Sequence, residues 1–145
     1  MLPIFISLAG EMPSVFNWSV RVYYEDTDAG GIVFYANYLK FFERARTEWL
    51  RATGIQQQEL LDADGTAFVV KSASLDYHAP ARLDDELTIR TTVEKLGRAS
   101  VQFSQEAWCG DVLLTSASVK VGCVDTSTMR PRSLPEHVAA KMRAA

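Results

Sequence analysis

Two cysteines, Cys109 and Cys123, and two histidines, His78 and His137, are all that the 145 residues offer of either type. The cysteines lack metal-binding spacing and fall in predicted strands, where they read as small apolar residues of a reducing compartment. His78 precedes Pro80 at a predicted strand end and His137 lies in the tail. No stretch approaches the roughly 20 apolar residues that cross a bilayer. The apolar run Leu2 to Ala9 is short, contains Pro3 and has no positive flank, which argues against a secretion signal. Basic residues do not outnumber acidic ones; the formal net charge is −3, against broad nucleic-acid binding. Ser72 and Ser74 lack the Gly-x-Ser-x-Gly setting of a serine hydrolase. No phosphate-binding glycine loop, redox-cofactor motif, internal repeat or linker occurs. These absences point to one cytoplasmic domain that works without a metal or a cofactor.

What is present is a balanced globular composition, 48% hydrophobic and 23% charged, in a chain long enough to bury a substantial core. Trp18 to Tyr24 alternates, with Val20, Val22 and Tyr24 expected on one face. Four later stretches read as strands: Ala67 to Tyr77, Glu86 to Leu96, Ala99 to Cys109 and Val112 to Asp125. In the last, Leu113, Ala117, Val119, Val121 and Cys123 share one parity. Gly97-Arg98 and Gly110-Asp111 link the last three as antiparallel hairpins. Between the first strand and the others, Asn37 to about Leu50 reads as the one long helix, with Tyr38, Phe41, Phe42, Ala45 and Trp49 in an apolar stripe. Gly54 would stop it. A helical turn is expected within residues 55–66, and Glu136 to Arg143 forms a tail or short helix. One helix and about five mostly antiparallel strands predict an α+β domain with the sheet wrapped on the helix. Such a sheet leaves apolar surface and open edges, which predicts self-association.

The most distinctive stretch is Tyr23 to Leu50. Glu25, Asp26 and Asp28 crowd four positions, then Ala29, Gly30 and Gly31 lead toward the helix. Unpaired N–H groups and the dipole at a helix entrance favour developing negative charge. A carboxylate in the preceding loop could then attack a carbonyl, or activate water against it. On spacing alone the stretch is equally an ordinary acidic turn.

The literal residues resemble hotdog-fold acyl-CoA thioesterases, in the branch of 4-hydroxybenzoyl-CoA thioesterase and the bacterial Tol-Pal-associated thioesterases. The match runs through Tyr24-Glu25-Asp26-Thr27-Asp28-Ala29-Gly30-Gly31-Ile32-Val33, Ala36-Asn37-Tyr38 and Phe42 to Glu48. It continues through Tyr77 to Asp85 and Cys123-Val124-Asp125, and ends near Pro135. The resemblance implies a hotdog domain over residues 18–135, a curved five-stranded sheet around one helix. Residues 1–17 would be an N-terminal extension, expected to be poorly ordered, and residues 136–145 a tail. Because the match begins only after Met12, translation from Met12 instead of Met1 is a further expectation.

The resemblance also implies a site. The second Asp of the Asp-x-Asp-x-x-Gly pattern, here Asp28, is the nucleophile or general base. A backbone N–H near Tyr35 polarises the thioester carbonyl. Many Tol-Pal-associated members carry histidine where this chain has Tyr35; tyrosine, with a reference pKa of about 10, is a poor base. Asp26 organises the loop by accepting backbone N–H bonds. Gly30 and Gly31 permit close approach of the substrate, and Tyr38 and Phe68 are candidates for the acyl pocket. Coenzyme A is anionic, so Lys71, Arg82, Arg98, Arg130 and Arg132 are considered for its groove; Arg82 and Arg98 lead because both sit in predicted turns. The substrate implied is an acyl-CoA, with acyl carrier protein as a second carrier, and the assembly a homodimer or homotetramer. A non-catalytic module that binds acyl-CoA or acyl carrier protein, or acts as a scaffold, is the alternative. A dehydratase of the same fold is weaker, since no Asp/His hydration motif occurs on the helix.

Overall fold

The computed structural model describes residues 14–145. The expectations for the first residues, including the start at Met12, lie largely outside that range. The described elements begin with β1 (Phe16–Arg21), followed by 3-10 turns at Tyr24–Asp26 and Tyr35–Asn37. Then come α1 (Tyr38–Ala52), α2 (Gln57–Asp64), β2 (Thr66–Tyr77), β3 (Glu86–Leu96), β4 (Ser100–Cys109), β5 (Val112–Asp125), the two-residue β6 (Arg130–Pro131) and α3 (Glu136–Ala144). The main strands form one antiparallel sheet in the order β1-β3-β4-β5-β2, with β6 on β5. Thus β2, second along the chain, sits at the far edge of the sheet.

One helix fills the sheet's concave face because its stripe is apolar at the right spacing. Tyr38, Phe41, Phe42, Ala45, Trp49 and Leu50 are all buried. Opposite them the strands alternate, burying Leu87 and Ile89 of β3, Val101 and Phe103 of β4, and Ala117, Val119 and Val121 of β5. The Trp49 and Phe103 rings meet edge to face at 5.4 Å. The helix ends as a Schellman motif. Ile55 N–H donates to Leu50 O and Gly54 N–H to Arg51 O, both at 2.9 Å, with Gly54 at φ 93°. A side chain at that φ would be strained, so glycine is the stop.

A polar joint pins helix to sheet within this apolar core. Gln105 is fully buried; its Nε2 donates to Phe42 O at 3.0 Å and to Thr91 Oγ1 at 2.9 Å. Its Oε1 accepts from Arg46 Nη1 at 2.9 Å. Burial pulls the Arg46 pKa down, only partly countered by nearby Glu43.

Three expectations change. Tyr24 does not continue β1 beside Val20 and Val22 but opens a 3-10 turn and is 83% exposed. The cause is local: the Asp26 carboxylate takes the Tyr23 N–H at 2.8 Å and bends the chain out of the sheet. Leu113 does not share the buried parity of Ala117 and Val119. A register shift at Ala107/Trp108 lets Leu114 turn inward instead. The sheet also gains β6, held where Arg132 N–H donates to Cys123 O at 2.9 Å.

Candidate functional site

The segment joining β1 to α1 folds into a hairpin of its own. Thr27 bridges Val33, Asp28 N–H donates to Ile32 O, and Gly31 N–H donates to Asp28 O, the last two at 3.0 Å. Ala29, Gly30 and Gly31 therefore form a three-residue hairpin loop, and Gly31 supplies the left-handed residue, φ +76°, that such a loop demands. Asp28 sits at its base. Its Oδ1 accepts the Gly30 N–H at 2.9 Å, an Asx-type bond that orients the carboxylate. Oδ2 makes no hydrogen bond among the described residues. A Cβ on Gly30 would lie 3.3 Å from Asp28 Oδ1, so glycine there keeps room beside the acid.

Asp26 anchors this hairpin, as its place in the pattern suggests. It is buried, and its two oxygens take the Tyr23 N–H at 2.8 Å and Asn37 Nδ2 at 3.0 Å. One carboxylate therefore ties the Asp28 loop to the turn that begins the helix. The hairpin also docks sideways on the segment before β3, through Val33 N–H to Ala81 O at 2.9 Å and an Ile32–Arg82 bridge.

Between these pieces lies a cleft of ≈ 510 Å³. Asp28, Ile32, Val33 and Phe34 form one side; Tyr35 and Tyr38 bring in the helix entrance, and Tyr77 through Pro80 close the other side. Tyr35 is 72% exposed, yet the Tyr35 and Ala36 N–H groups make no hydrogen bond among the described residues, as befits the first positions of a helical turn. Tyr38 is buried, and that burial pushes its phenol pKa up; Thr115 and the Ala81 backbone lie by its hydroxyl and oppose the shift. Desolvation, with Tyr35 nearby, raises Tyr77 as well. Both phenols therefore stay protonated and can donate at neutral pH.

Asp28, Tyr35 and Tyr38 are brought together at this cleft. Gly30 and Gly31 stay in the hairpin loop behind Asp28, and Arg82 lies beside that hairpin through its bridge to Ile32. The Arg82 N–H donates to Asp85 Oδ2 at 2.9 Å. Phe68 and Arg98 are not brought to it within the chain. Phe68 lines a separate ≈ 140 Å³ cleft with Glu43 and Arg46 beneath the β2 edge. Arg98 follows the far end of β3, where its Nε donates to Ser133 Oγ at 3.0 Å. Tyr77 and His78 also line the cleft, although the sequence does not single them out for it. His78 is exposed, as expected of a surface residue, but lines the cleft and pairs with Ser116 Oγ at 2.9 Å. The Tyr77-His78-Ala79-Pro80 run within the second matching block was the available signal. Among the described residues no group of three or more His, Cys, Asp or Glu side chains is placed to hold a metal.

A single helix in a curled antiparallel sheet of order 1-3-4-5-2, with an acid-bearing hairpin at the helix entrance, defines a hotdog-fold protein. The chain belongs to the thioesterase superfamily, the 4HBT family, whose model matches residues 30–116. It is 49% identical over 125 residues to the acyl-CoA thioesterase YbgC of Haemophilus influenzae, covering 86% of this chain and 92% of that one. To the acyl-CoA thioester hydrolase YbgC of Escherichia coli O6:H1 it is 47% identical over 131 residues, 90% and 97% of the two chains. Among solved structures, a probable thioesterase from Bartonella henselae superposes with a TM-score of 0.80 at 34% identity, covering 84% of this chain and 100% of that one. No helix among the described residues is long and apolar enough to cross a membrane.

Proposed function

We propose that this chain hydrolyses acyl-CoA thioesters in the cleft at the Asp28 hairpin, releasing the free acid and coenzyme A. One observation carries the reading: a carboxylate with an oxygen unbonded among the described residues shares a cleft with the helix-entrance turn, whose first N–H groups have no acceptor among those residues. The names of the two YbgC relatives agree with it. The thioester carbonyl oxygen turns toward those N–H groups, which stabilise the oxyanion as the carbonyl carbon becomes tetrahedral. Asp28 acts in one of two ways. As a base it takes a proton from water while the oxygen adds to the carbonyl carbon, and collapse expels the thiolate. As a nucleophile it adds directly, expels the thiolate and leaves a mixed anhydride that water cleaves. Neither route calls for a cofactor. An acyl chain on acyl carrier protein presents the same thioester and is the second carrier.

The assembly we propose is a homodimer through β2, with pairing of dimers into a tetramer as a further step. Among the described residues this 12-residue strand pairs with β5 on one side only, and Val70 on it is 53% exposed. A long open edge with apolar side chains is a template for a second strand. Two-fold antiparallel pairing of β2 would bring the Phe68 end of one protomer beside the Tyr77 end of its partner. The two thiols, both without a disulfide partner, fit a cytoplasmic enzyme.

Thiol release from short-chain, long-chain and hydroxybenzoyl-CoA tests the reading, with Asp28→Asn beside the wild type and sedimentation on the same samples. The expected result is turnover that falls by about 10²–10⁴-fold in the variant. A variant as active as the wild type removes Asp28 from the chemistry. Silence of the wild type across the CoA panel and acyl carrier protein removes the enzyme reading.

A further inference from the structure

We infer that Tyr77 is a positioning residue of this site, its hydroxyl holding the Tyr35–Ala36 peptide at the mouth of the Asp28 cleft. The inference rests on the thioesterase reading and adds a residue that the acid-rich motif does not contain.

Tyr77 is the last residue of β2, and its hydroxyl donates to the Tyr35 carbonyl at 2.9 Å, across 42 positions of sequence. Its ring meets the Tyr35 ring edge to face at 6.4 Å and lies 5.8 Å from that of Tyr38. One side chain from the sheet edge thus meets the first residue of the helix-entrance turn and the first residue of α1. The turn needs an outside hold, because the Tyr35 side chain faces solvent and contributes little burial. Asn37 is fixed from the hairpin side by Asp26, so Tyr35 is fixed from the opposite side by Tyr77.

The chemistry follows from the planarity of the peptide. In a trans peptide the carbonyl and the following N–H point in opposite directions. A donor on the Tyr35 oxygen therefore sets the direction of the Ala36 N–H, which has no acceptor among the described residues. It also polarises the amide, making that N–H a stronger donor. Because transition-state donors work by being aimed before the charge forms, a freely rocking peptide would stabilise an oxyanion less well. Tyr77 would then act on the chemical step without touching the reacting atoms. The phenol keeps its proton at neutral pH, as the role of donor requires.

The test compares wild type, Tyr77→Phe and Tyr77→Leu, each labelled with 15N-alanine and each assayed for thiol release. Phe keeps the ring and removes the hydroxyl; Leu removes both. In Tyr77→Phe the Ala36 amide resonance should move while the other alanine resonances stay, showing that the fold is kept. Its kcat should fall by about 10–100-fold with KM changed by less than about twofold. Tyr77→Leu should lose no less. An unmoved Ala36 amide, or a wild-type kcat in Tyr77→Phe, overturns the inference. So does a raised KM at unchanged kcat, which would make Tyr77 a substrate contact. If the wild type releases no thiol, the thioesterase reading fails, and the Ala36 resonance still decides whether the hydroxyl holds this peptide.

Discussion

Removing the Asp26 carboxylate should unfasten the site from the fold, and the cost follows from its two bonds. Asp26→Ala deletes the acceptor for Asn37 Nδ2, at 3.0 Å, and for the Tyr23 N–H, at 2.8 Å. Asn37 is 1% exposed, so water cannot replace the lost partner, and its amide is orphaned. A hydrogen bond to an ionised acceptor is worth about 1.5–3 kcal/mol, and the buried bond belongs at the upper end of that range. The Tyr23 side chain is largely exposed and water can reach its N–H, so that bond contributes about 1 kcal/mol. Release of a buried charge offsets part of the sum, leaving a loss of about 3 kcal/mol. Asp26→Asn should cost only about 1 kcal/mol, because one oxygen remains and the new NH2 can donate to the Asn37 carbonyl if that side chain turns over. Urea unfolding followed by tryptophan fluorescence reads both values. Protein concentration must be held fixed, since self-association would feed into the apparent stability. The hairpin side of the cleft and the helix entrance both hang on Asp26, so the alanine variant should also lose turnover at temperatures where it remains folded. A loss below about 1 kcal/mol for Asp26→Ala, or equal losses for the two variants, would refute the reasoning.

Two further substitutions probe the frame behind the site. Gln105→Leu leaves the Phe42 carbonyl, Thr91 Oγ1 and the half-buried Arg46 guanidinium without their shared partner, and should cost about 3 kcal/mol in chemical denaturation. A variant as stable as the wild type would show that leucine packing replaces the polar joint. Asp125 has its pKa lowered, chiefly by the hydroxyl and N–H of Ser127, with Arg132 adding to them. A folded pKa below the unfolded value of about 3.9 means stability that is present above that value and lost as pH falls through the folded pKa. Asp125→Asn should therefore melt below the wild type at neutral pH, with the gap closing in acid. A gap that stays constant with pH would contradict the assignment.

Some of this protein was readable before any coordinates. The helix stripe from Tyr38 to Trp49 and the alternation of Glu86 to Leu96 are local periodicities, and each buries the face that its period marks. Asp26 as the loop's organiser was legible for the same reason, since its N–H partner lies three residues away. The inward turn of Leu114 was not, because a register shift is a property of two strands and appears in neither alone. Tyr24 escaped because the pull on it comes from a side chain, not from the strand period.

The cleft divides along the same line. The residue types of the acid-bearing loop, and their order before a helix, were determined by the sequence itself, because a hairpin with glycine at its left-handed position is a short-range event. Which residues face that loop was decided only by the tertiary structure. Tyr77 and His78 reach it because β2 crosses to the far edge and pairs with β5, running past the helix entrance. Phe68, near the start of β2, and Arg98, in the turn between β3 and β4, lie away from it within the chain. Long-range pairing is set by the total burial that a whole sheet achieves, and no single stretch of chain contains that sum.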